Sequence, residues 1–132
     1  MLCRSRAEGS RMRVELKLGG LITVGERSLA MGRTFALLDG IAQEGAIGGA
    51  ARLLEVSDAA AWERLAVLEG ALGRPVARRE GTEGRASLTP YGAGLREAIA
   101  ETLRAFEPLV ETETRRLQER LTALDGPHDP AA

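Results

Sequence analysis

Nine residues between Arg52 and Arg85 have side chains suited to noncovalent contact with a nucleic acid. Guanidinium groups bind phosphates and base edges, hydroxyl groups donate to phosphates, and alanine methyl groups contact the methyl group of thymine. The candidate contact residues are Arg52, Ser57, Ala59, Ala60, Arg64, Arg78, Arg79, Thr82 and Arg85.

Side chains for covalent or metal chemistry are scarce. Cys3 is the only cysteine and His128 the only histidine, so one chain cannot assemble a disulfide, a zinc site or a Cys–His pair. Four glutamates suited to acid–base chemistry are not placed around a pocket by any motif: Glu44, Glu55, Glu101 and Glu111. We therefore expect no enzyme activity, no cofactor and no metal.

The charge is unevenly distributed along a chain whose net charge is −1. Residues 1–38 hold seven bases against three acids, residues 39–92 six against eight, and residues 93–132 five against eight. A nucleic-acid binder usually concentrates basic charge on its binding face, and the middle segment does not obviously do so. The excess of basic residues near the N-terminus forms a basic arm, which we expect to add non-specific attraction to DNA. Its members are Arg4, Arg6, Arg11 and Arg13.

Three helices and a hairpin are predicted ahead of residue 75. Arg13–Leu18 alternates polar and apolar residues and Leu21–Val24 is also β-prone, so the two runs around Gly19-Gly20 predict a β-hairpin. Apolar spacings of three and four predict a helix over Leu29–Gln43, with Ser28 as N-cap and Gly45 at its end. A second, shorter helix follows over Ala46–Glu55, where Gly48 and Gly49 would permit a close helix crossing.

The third helix begins after Ser57, which is well placed as its N-cap, and ends at Gly73 before Pro75. Its apolar positions at helical spacing predict a buried face, with Trp62 in the core: Ala61, Trp62, Leu65, Leu68 and Leu72. Arg64 is the strongest single candidate for a base or phosphate contact. Asp58 favours the start of the helix through the helix dipole, but it is repelled by phosphates.

Two short strands, Val76–Arg79 and Ser87–Thr89, enclose a glycine-containing loop and predict a wing. Arg78 and Arg79 point to opposite faces of their strand, so we expect only one of them to face DNA. Arg85 at the tip is placed for a phosphate or minor-groove contact.

The last helix opens with Thr89 as N-cap and Pro90 in its first turn. Its apolar series runs through Leu95, Ile99, Leu103 or Thr102, Phe106, Val110, Leu117, Leu121 and Leu124, and lapses near Glu113 and Thr114. So long a one-faced helix predicts pairing with a second copy of the chain. Pro108 is expected to kink it or divide it in two.

The predicted fold is mainly α with a small β component: a winged helix-turn-helix with an N-terminal β-hairpin and a long C-terminal dimerisation helix. We expect a disordered basic tail over residues 1–12, the winged domain over 13–92, the dimerisation helix over 93–124 and a disordered tail over 125–132. Met12 is an alternative to Met1 as the start.

Residues 36–92 resemble the N-terminal DNA-binding domain of ModE-type molybdate-responsive regulators and, more distantly, the LysR-type winged helix. The landmarks are Ile41–Gly45, Ala50-Ala51 with Leu53, Val56-Ser57, Ala61-Trp62, Leu72–Val76 and Leu88–Gly92. Before the Ala-Trp pair, family members have a Ser-Tyr-Lys sequence, whereas this chain has Ser57, Asp58, Ala59 and Ala60. The family's wing is a glycine-rich loop that contains lysine, whereas the wing of this chain contains Glu80 and Glu83. The family's oxyanion-binding domains are not represented, so no molybdate site is carried over.

The predicted function is that of a homodimeric transcriptional regulator that binds double-stranded DNA, with a link to molybdenum-related genes implied by the resemblance. The alternative is a winged-helix module that has lost DNA binding and pairs with another protein, motivated by Asp58, Glu63, Glu80 and Glu83. A separate protein partner would then supply any effector sensing. No apolar run approaches the ~20 residues that span a bilayer, and we expect a cytoplasmic protein without a membrane anchor.

Overall fold

The computed structural model describes residues 3–7 and 13–126. The chain divides into two compact units, one over Gly19–Thr102 and one that combines the N-terminal segment through Leu18 with the chain from Leu103 onward. The strands are β1 Cys3–Ala7, β2 Val14–Leu18, β3 Leu21–Val24, β4 Arg27–Ala30, β5 Ala77–Arg79 and β6 Ala86–Leu88; the helices are α1 Met31–Glu44, α2 Ile47–Leu54, α3 Asp58–Leu72 and α4 Pro90–Leu124.

The N-terminal strands pair differently from the predicted hairpin. Val14–Leu18 pairs antiparallel with Cys3–Ala7, and Leu21–Val24 pairs with Arg27–Ala30. The second hairpin turns at Gly25 and Glu26, where Gly25 has a φ of 61°, and a two-residue turn with left-handed glycine suits the twist of paired strands. The prediction of a hairpin around Gly19-Gly20 was therefore wrong.

Part of the predicted disordered tail is also ordered. Cys3–Ala7 is a strand in register with β2, with Arg4 opposite Lys17. The run is short and contains two arginines. The strand depends on backbone hydrogen bonds to a partner that the sequence of the run does not reveal. The other residues of the predicted N-terminal tail, and residues 127–132 of the predicted C-terminal tail, lie outside the described residues.

Helix α1 begins two residues later than predicted because Ser28 lies in β4. Ala30 is the N-cap residue and provides no side-chain hydrogen bond, so the predicted Ser28 cap was wrong. Gly45 ends α1 in the left-handed conformation with a φ of 66°, as predicted.

Helices α1 and α2 cross with their backbones in direct contact. A Cβ atom added to Gly49 would lie 2.2 Å from the carbonyl oxygen of Gly40, and one added to Gly40 would lie 2.4 Å from the amide nitrogen of Ala50. Leu38, Ile41 and Ile47 are fully buried around this crossing. The crossing requires Gly49, whereas Gly48 has open space around it.

The wing is joined to the start of α4 by a second close backbone approach. A Cβ atom on Gly92 would lie 1.9 Å from the carbonyl oxygen of Val76. Thr89 accepts a hydrogen bond from the amide of Gly92 at 3.0 Å, which confirms it as the N-cap of α4. The first turn of α4 is thereby attached to the strand that begins the wing.

Helix α4 is continuous from Pro90 to Leu124 and contains Pro108, so the proline does not divide it. In the second unit, Leu103, Val110, Thr114 and Gln118 are buried along one face of α4. Thr114, where the apolar series was predicted to lapse, is therefore fully buried. Its hydroxyl donates a hydrogen bond to the carbonyl of Val110.

Candidate nucleic-acid interface

Helices α2 and α3 are joined by a tight turn, as in a helix-turn-helix. Glu55 ends α2 in the left-handed region with a φ of 56°, and its amide donates to the carbonyl of Arg52 at 3.2 Å. Ser57 then begins α3 in an extended conformation, and its Oγ accepts a hydrogen bond from the amide of Ala60 at 3.1 Å. The N-cap predicted for Ser57 is confirmed.

Replacing Ser57 by alanine is expected to lower the free energy of unfolding by about 1 kcal/mol, because the Ala60 amide loses its side-chain acceptor. Urea denaturation followed by circular dichroism measures the change. Ser57→Asp is the matched control, since aspartate also caps helices, and it should restore most of the loss. Equal stability of wild type and Ser57→Ala would show that the cap contributes nothing.

Three of the five residues predicted for the inward face of α3 are buried, whereas Leu72 and Trp62 are half-buried. Ala61, Leu65 and Leu68 are buried, and Glu69 accepts a hydrogen bond from the amide of Val76 at 2.7 Å. The helix is therefore held both by the core and by the strand that follows it.

The outward face of α3 is nearly bare. Ala59, Glu63, Ala66 and Gly70 are all exposed and follow one another at spacings of four, three and four, which places them on one side of the helix. None of them has a side-chain donor for a base edge, and the only polar group is a carboxylate. Ala60, predicted as a contact, is half-buried.

Trp62 is half-buried, not fully within the core as predicted, and its indole ring contacts the wing. The guanidinium carbon of Arg79 lies 3.7 Å from the ring centroid. A cation over an indole face is attracted by the negative face of the π system. Arg79 therefore joins β5 to α3. Of the two strand arginines, one of which was expected to face DNA, Arg78 is the one whose side chain remains available.

The wing presents Arg78, Thr82 and Arg85 as exposed residues. Gly81 and Gly84 have φ values of 72° and 73°, which let the loop turn tightly around Thr82. Glu80 lies in the same loop and accepts a hydrogen bond from the hydroxyl of Ser87 at 2.7 Å. The wing tip therefore carries both signs of charge.

The wing is also attached directly to the start of α2. The amide of Ile47 donates to the carbonyl of Gly84 at 2.8 Å, and Ala46 forms an isolated bridge with Arg85. The backbone of Arg85 is consequently fixed, although its side chain is exposed.

Two further predicted contacts lie away from the wing. Arg52 forms an ion pair with Glu44, which occupies its guanidinium on the α1–α2 side. Arg64 is exposed and lines a groove between α3 and the β4–α1 junction, together with Arg33. The nine candidates are thus not one cluster: the structure groups Arg78, Thr82 and Arg85 in the wing and separates Arg52 and Arg64 from them.

Sequence reasoning missed the contacts that hold α4 in the first unit. The Nε of Arg96 donates to Asp39 of α1 at 2.9 Å, and Asp39 also accepts a bond from Gln43 at 2.8 Å. The guanidinium of Arg74 lies 4.4 Å from the centroid of the Tyr91 ring. Residues 57 positions apart in the chain carry no local signal of such a pairing.

Within the described residues, no group of three or more histidine, cysteine, aspartate or glutamate side chains is arranged to hold a metal ion. No helix among these residues is long and apolar enough to cross a membrane.

Comparison with known proteins identifies the helix-turn-helix. A sequence model described as "Bacterial regulatory helix-turn-helix protein, lysR family" matches residues 33–93. No curated protein matches the chain significantly.

Two solved structures are similar to part of the chain. A probable transcriptional regulator from Pseudomonas aeruginosa is 26% identical with a TM-score of 0.49, covering 60% of this chain and 26% of its own. A cysteine-to-serine mutant of OxyR from Corynebacterium glutamicum with H₂O₂ bound is 26% identical with a TM-score of 0.48, covering 61% of this chain and 25% of its own. The chain matches about a quarter of the length of each. The family match spans most of α1, the α2–turn–α3 motif and the wing, so residues 33–93 are similar to the helix-turn-helix domain of LysR-family regulators.

Proposed function

We propose that the chain is a transcriptional regulator that binds double-stranded DNA as a homodimer, with α3 in the major groove and the wing on the phosphate backbone. The observation that carries this proposal is the capped α2–turn–α3 motif followed by a wing with exposed arginines, inside the LysR-type match. In such domains the second helix of the motif enters the major groove. A regulator of this kind would act in the cytoplasm, where it meets DNA.

The bare outward face of α3 determines how such a protein would read DNA. Alanine and glycine make no hydrogen bonds to bases, and Ala59 offers only a methyl contact to thymine. Affinity would then come mainly from arginines on phosphates, and sequence preference from the shape and deformability of the duplex.

The homodimer is supported by apolar side chains left exposed on α4. Phe106, Leu109, Leu117 and Leu124, which we call the α4 stripe, are all at least 39% exposed. They recur at spacings of three, eight and seven, which keeps them on one side of the helix. The α4 stripe adjoins the buried residues of the helix, since Leu117 lies seven residues after Val110 and three after Thr114. A second α4 stripe would cover these residues, and a two-fold dimer would suit an operator with two half-sites.

The wing arginines provide the direct test of DNA binding. Arg78→Gln/Arg85→Gln is expected to weaken binding to the native promoter region by about tenfold or more, because two phosphate contacts are lost in each wing. The slope of log affinity against log salt should become shallower by about 1.8 for each wing, which is about 3.6 for the dimer. Fluorescence anisotropy across a salt series measures both.

The matched control for the wing is Arg27→Gln/Arg115→Gln, which removes the same charge from exposed positions outside both the wing and the α4 stripe. It should leave the affinity within about twofold of wild type. If both double variants lose the same DNA affinity, the effect is due to net charge alone. If the wing variant loses no affinity, the wing does not contact DNA.

A role in molybdenum-related gene control rests on the resemblance of residues 36–92 to ModE-type domains. The test is to measure transcripts of molybdate-transport and molybdoenzyme genes in a deletion strain and after complementation. Unchanged transcripts, with promoter binding elsewhere on the chromosome, would remove the molybdenum link and leave the DNA-binding proposal standing.

The second candidate function is a protein-interaction module, favoured by the acidic and donor-poor surface of α3. Asp58 and Glu63 are exposed there. Among the described residues, neither carboxylate forms an ion pair with a basic side chain. An effector-sensing protein with a basic surface would fit this face. A folded dimer that binds its promoter no better than random duplex at low salt would favour this candidate over the regulator.

A further inference from the structure

A groove in the first unit separates α3 from the β4–α1 junction. Its volume is about 410 Å³, within the range of small-molecule sites. Most of its lining is apolar, including Leu29, Leu37, Leu54, Val67 and Leu68. We call it the α1–α3 groove.

Two arginines line the α1–α3 groove from different elements. Arg33 lies in the first turn of α1, and Arg64 lies in the middle of α3. Both are exposed, and no described residue forms an ion pair, a hydrogen bond or an aromatic contact with either guanidinium group. Arg52, Arg79 and Arg96, by contrast, are each engaged by a side chain of the same unit.

The other polar groups along the groove are already used or carry the opposite charge. The hydroxyl of Thr34 donates to the carbonyl of Ala30 at 2.8 Å, and that of Ser28 bonds Thr23 at 3.0 Å. Glu63 is the only acidic residue in the lining, so the groove has two positive charges against one negative. A ligand that satisfies it needs an anionic head and an apolar body.

The geometry points to the α1–α3 groove as a binding site for a small amphipathic carboxylate. The carboxylate would accept hydrogen bonds from the guanidinium groups of Arg33 and Arg64, a charge-assisted pairing that arginine favours. The hydrocarbon body would cover Val67 and Leu68, of which Val67 is 44% exposed without a ligand. Because α3 forms one wall, occupancy would be linked to any ligand that binds the outward face of the same helix.

Sodium octanoate added to the full chain, in the absence of DNA, is the probe. Methyl resonances of Val67 and Leu68 should shift saturably with a dissociation constant on the order of 1 mM, as expected for ten heavy atoms of ordinary ligand efficiency. Methyl groups of Leu103 and Val110, in the second unit, should not shift. Octan-1-ol, which has the same chain without the charge, should bind at least about tenfold more weakly.

The arginines are tested by Arg33→Gln/Arg64→Gln, which should weaken octanoate binding by about tenfold or more. Arg27→Gln/Arg115→Gln is the matched control, because it removes the same charge from exposed positions outside the groove and should bind octanoate as wild type does. Circular dichroism and the thermal midpoint establish that both double variants fold.

Four outcomes would overturn the inference. They are the absence of saturable shifts, equal binding of octanoate and octanol, equal loss in both double variants, and methyl shifts that follow protein concentration instead of octanoate, which would mean that a second copy covers the groove. If wild type does not bind octanoate and Arg33→Gln/Arg64→Gln loses DNA affinity, the two arginines contact the DNA backbone and not a small carboxylate.

Discussion

Replacing Gly49 by alanine is expected to lower the free energy of unfolding by about 3 kcal/mol or more, the upper range for overpacking a tight interior. The new Cβ would lie 2.2 Å from the carbonyl oxygen of Gly40 and 3.0 Å from the Cβ of Glu44. The first obstacle is backbone, which cannot rotate away as a side chain does. Helices α1 and α2 would have to separate, and the burial of Leu38 and Ile47 would be lost with them.

Gly48→Ala is the matched control for this result. Gly48 lies one residue away in the same helix, and nothing lies within 4 Å of its added Cβ. Because alanine has a higher helix propensity than glycine, this variant should gain up to about 1 kcal/mol. Urea denaturation of both variants gives the difference. A Gly49→Ala protein as stable as Gly48→Ala would mean that the two backbones are not in contact.

The second large effect is expected from two charges placed in the α4 stripe. Phe106→Glu/Leu117→Glu would put carboxylates where the proposed homodimer buries apolar side chains, and like charges would face one another across the two-fold axis. We expect a monomer at micromolar concentration by sedimentation. Affinity for a two-half-site promoter should fall by about 100-fold or more, because the second half-site no longer benefits from a tethered partner.

Arg115→Glu is the control for charge. It changes the net charge by the same amount as the double variant, and Arg115 is exposed about half a turn around α4 from Leu117. It should remain dimeric. A double variant that stays dimeric would exclude the α4 stripe as the interface, whereas a monomer with undiminished promoter affinity would separate dimerisation from DNA binding.

The sequence by itself was sufficient for the local features of the motif. Caps and stops depend on a few neighbouring residues, so Ser57 at the start of α3, Gly45 and Gly73 at helix ends, and Thr89 before α4 are where their residue types predict them. The inward face of α3 followed from apolar spacing. The family resemblance added the order of elements, and the LysR-type match over residues 33–93 agrees with it.

The candidate site was less predictable than the fold, because which way an exposed side chain points depends on what packs beside it. Arg79 has the same residue type and the same strand as Arg78, yet only Arg79 lies over Trp62. Arg64 was the leading contact candidate, but the β4–α1 junction places it in a groove with Arg33. Neither arrangement has a signal in local sequence, since both depend on elements far apart in the chain.

Tertiary structure alone decided three further features. Strand pairing at the N-terminus depends on which backbones come together and not on side-chain type. Val14–Leu18 therefore pairs with Cys3–Ala7, whereas the sequence predicted pairing with Leu21–Val24. Whether a helical glycine is essential depends on the neighbouring helix, which separates Gly49 from Gly48. The apolar series on α4 reads as one face in the sequence. Packing within the chain buries Val110 and Thr114 and leaves Phe106 and Leu117 exposed. Helical spacing places all four on adjoining positions, so only the tertiary structure shows which of them are covered.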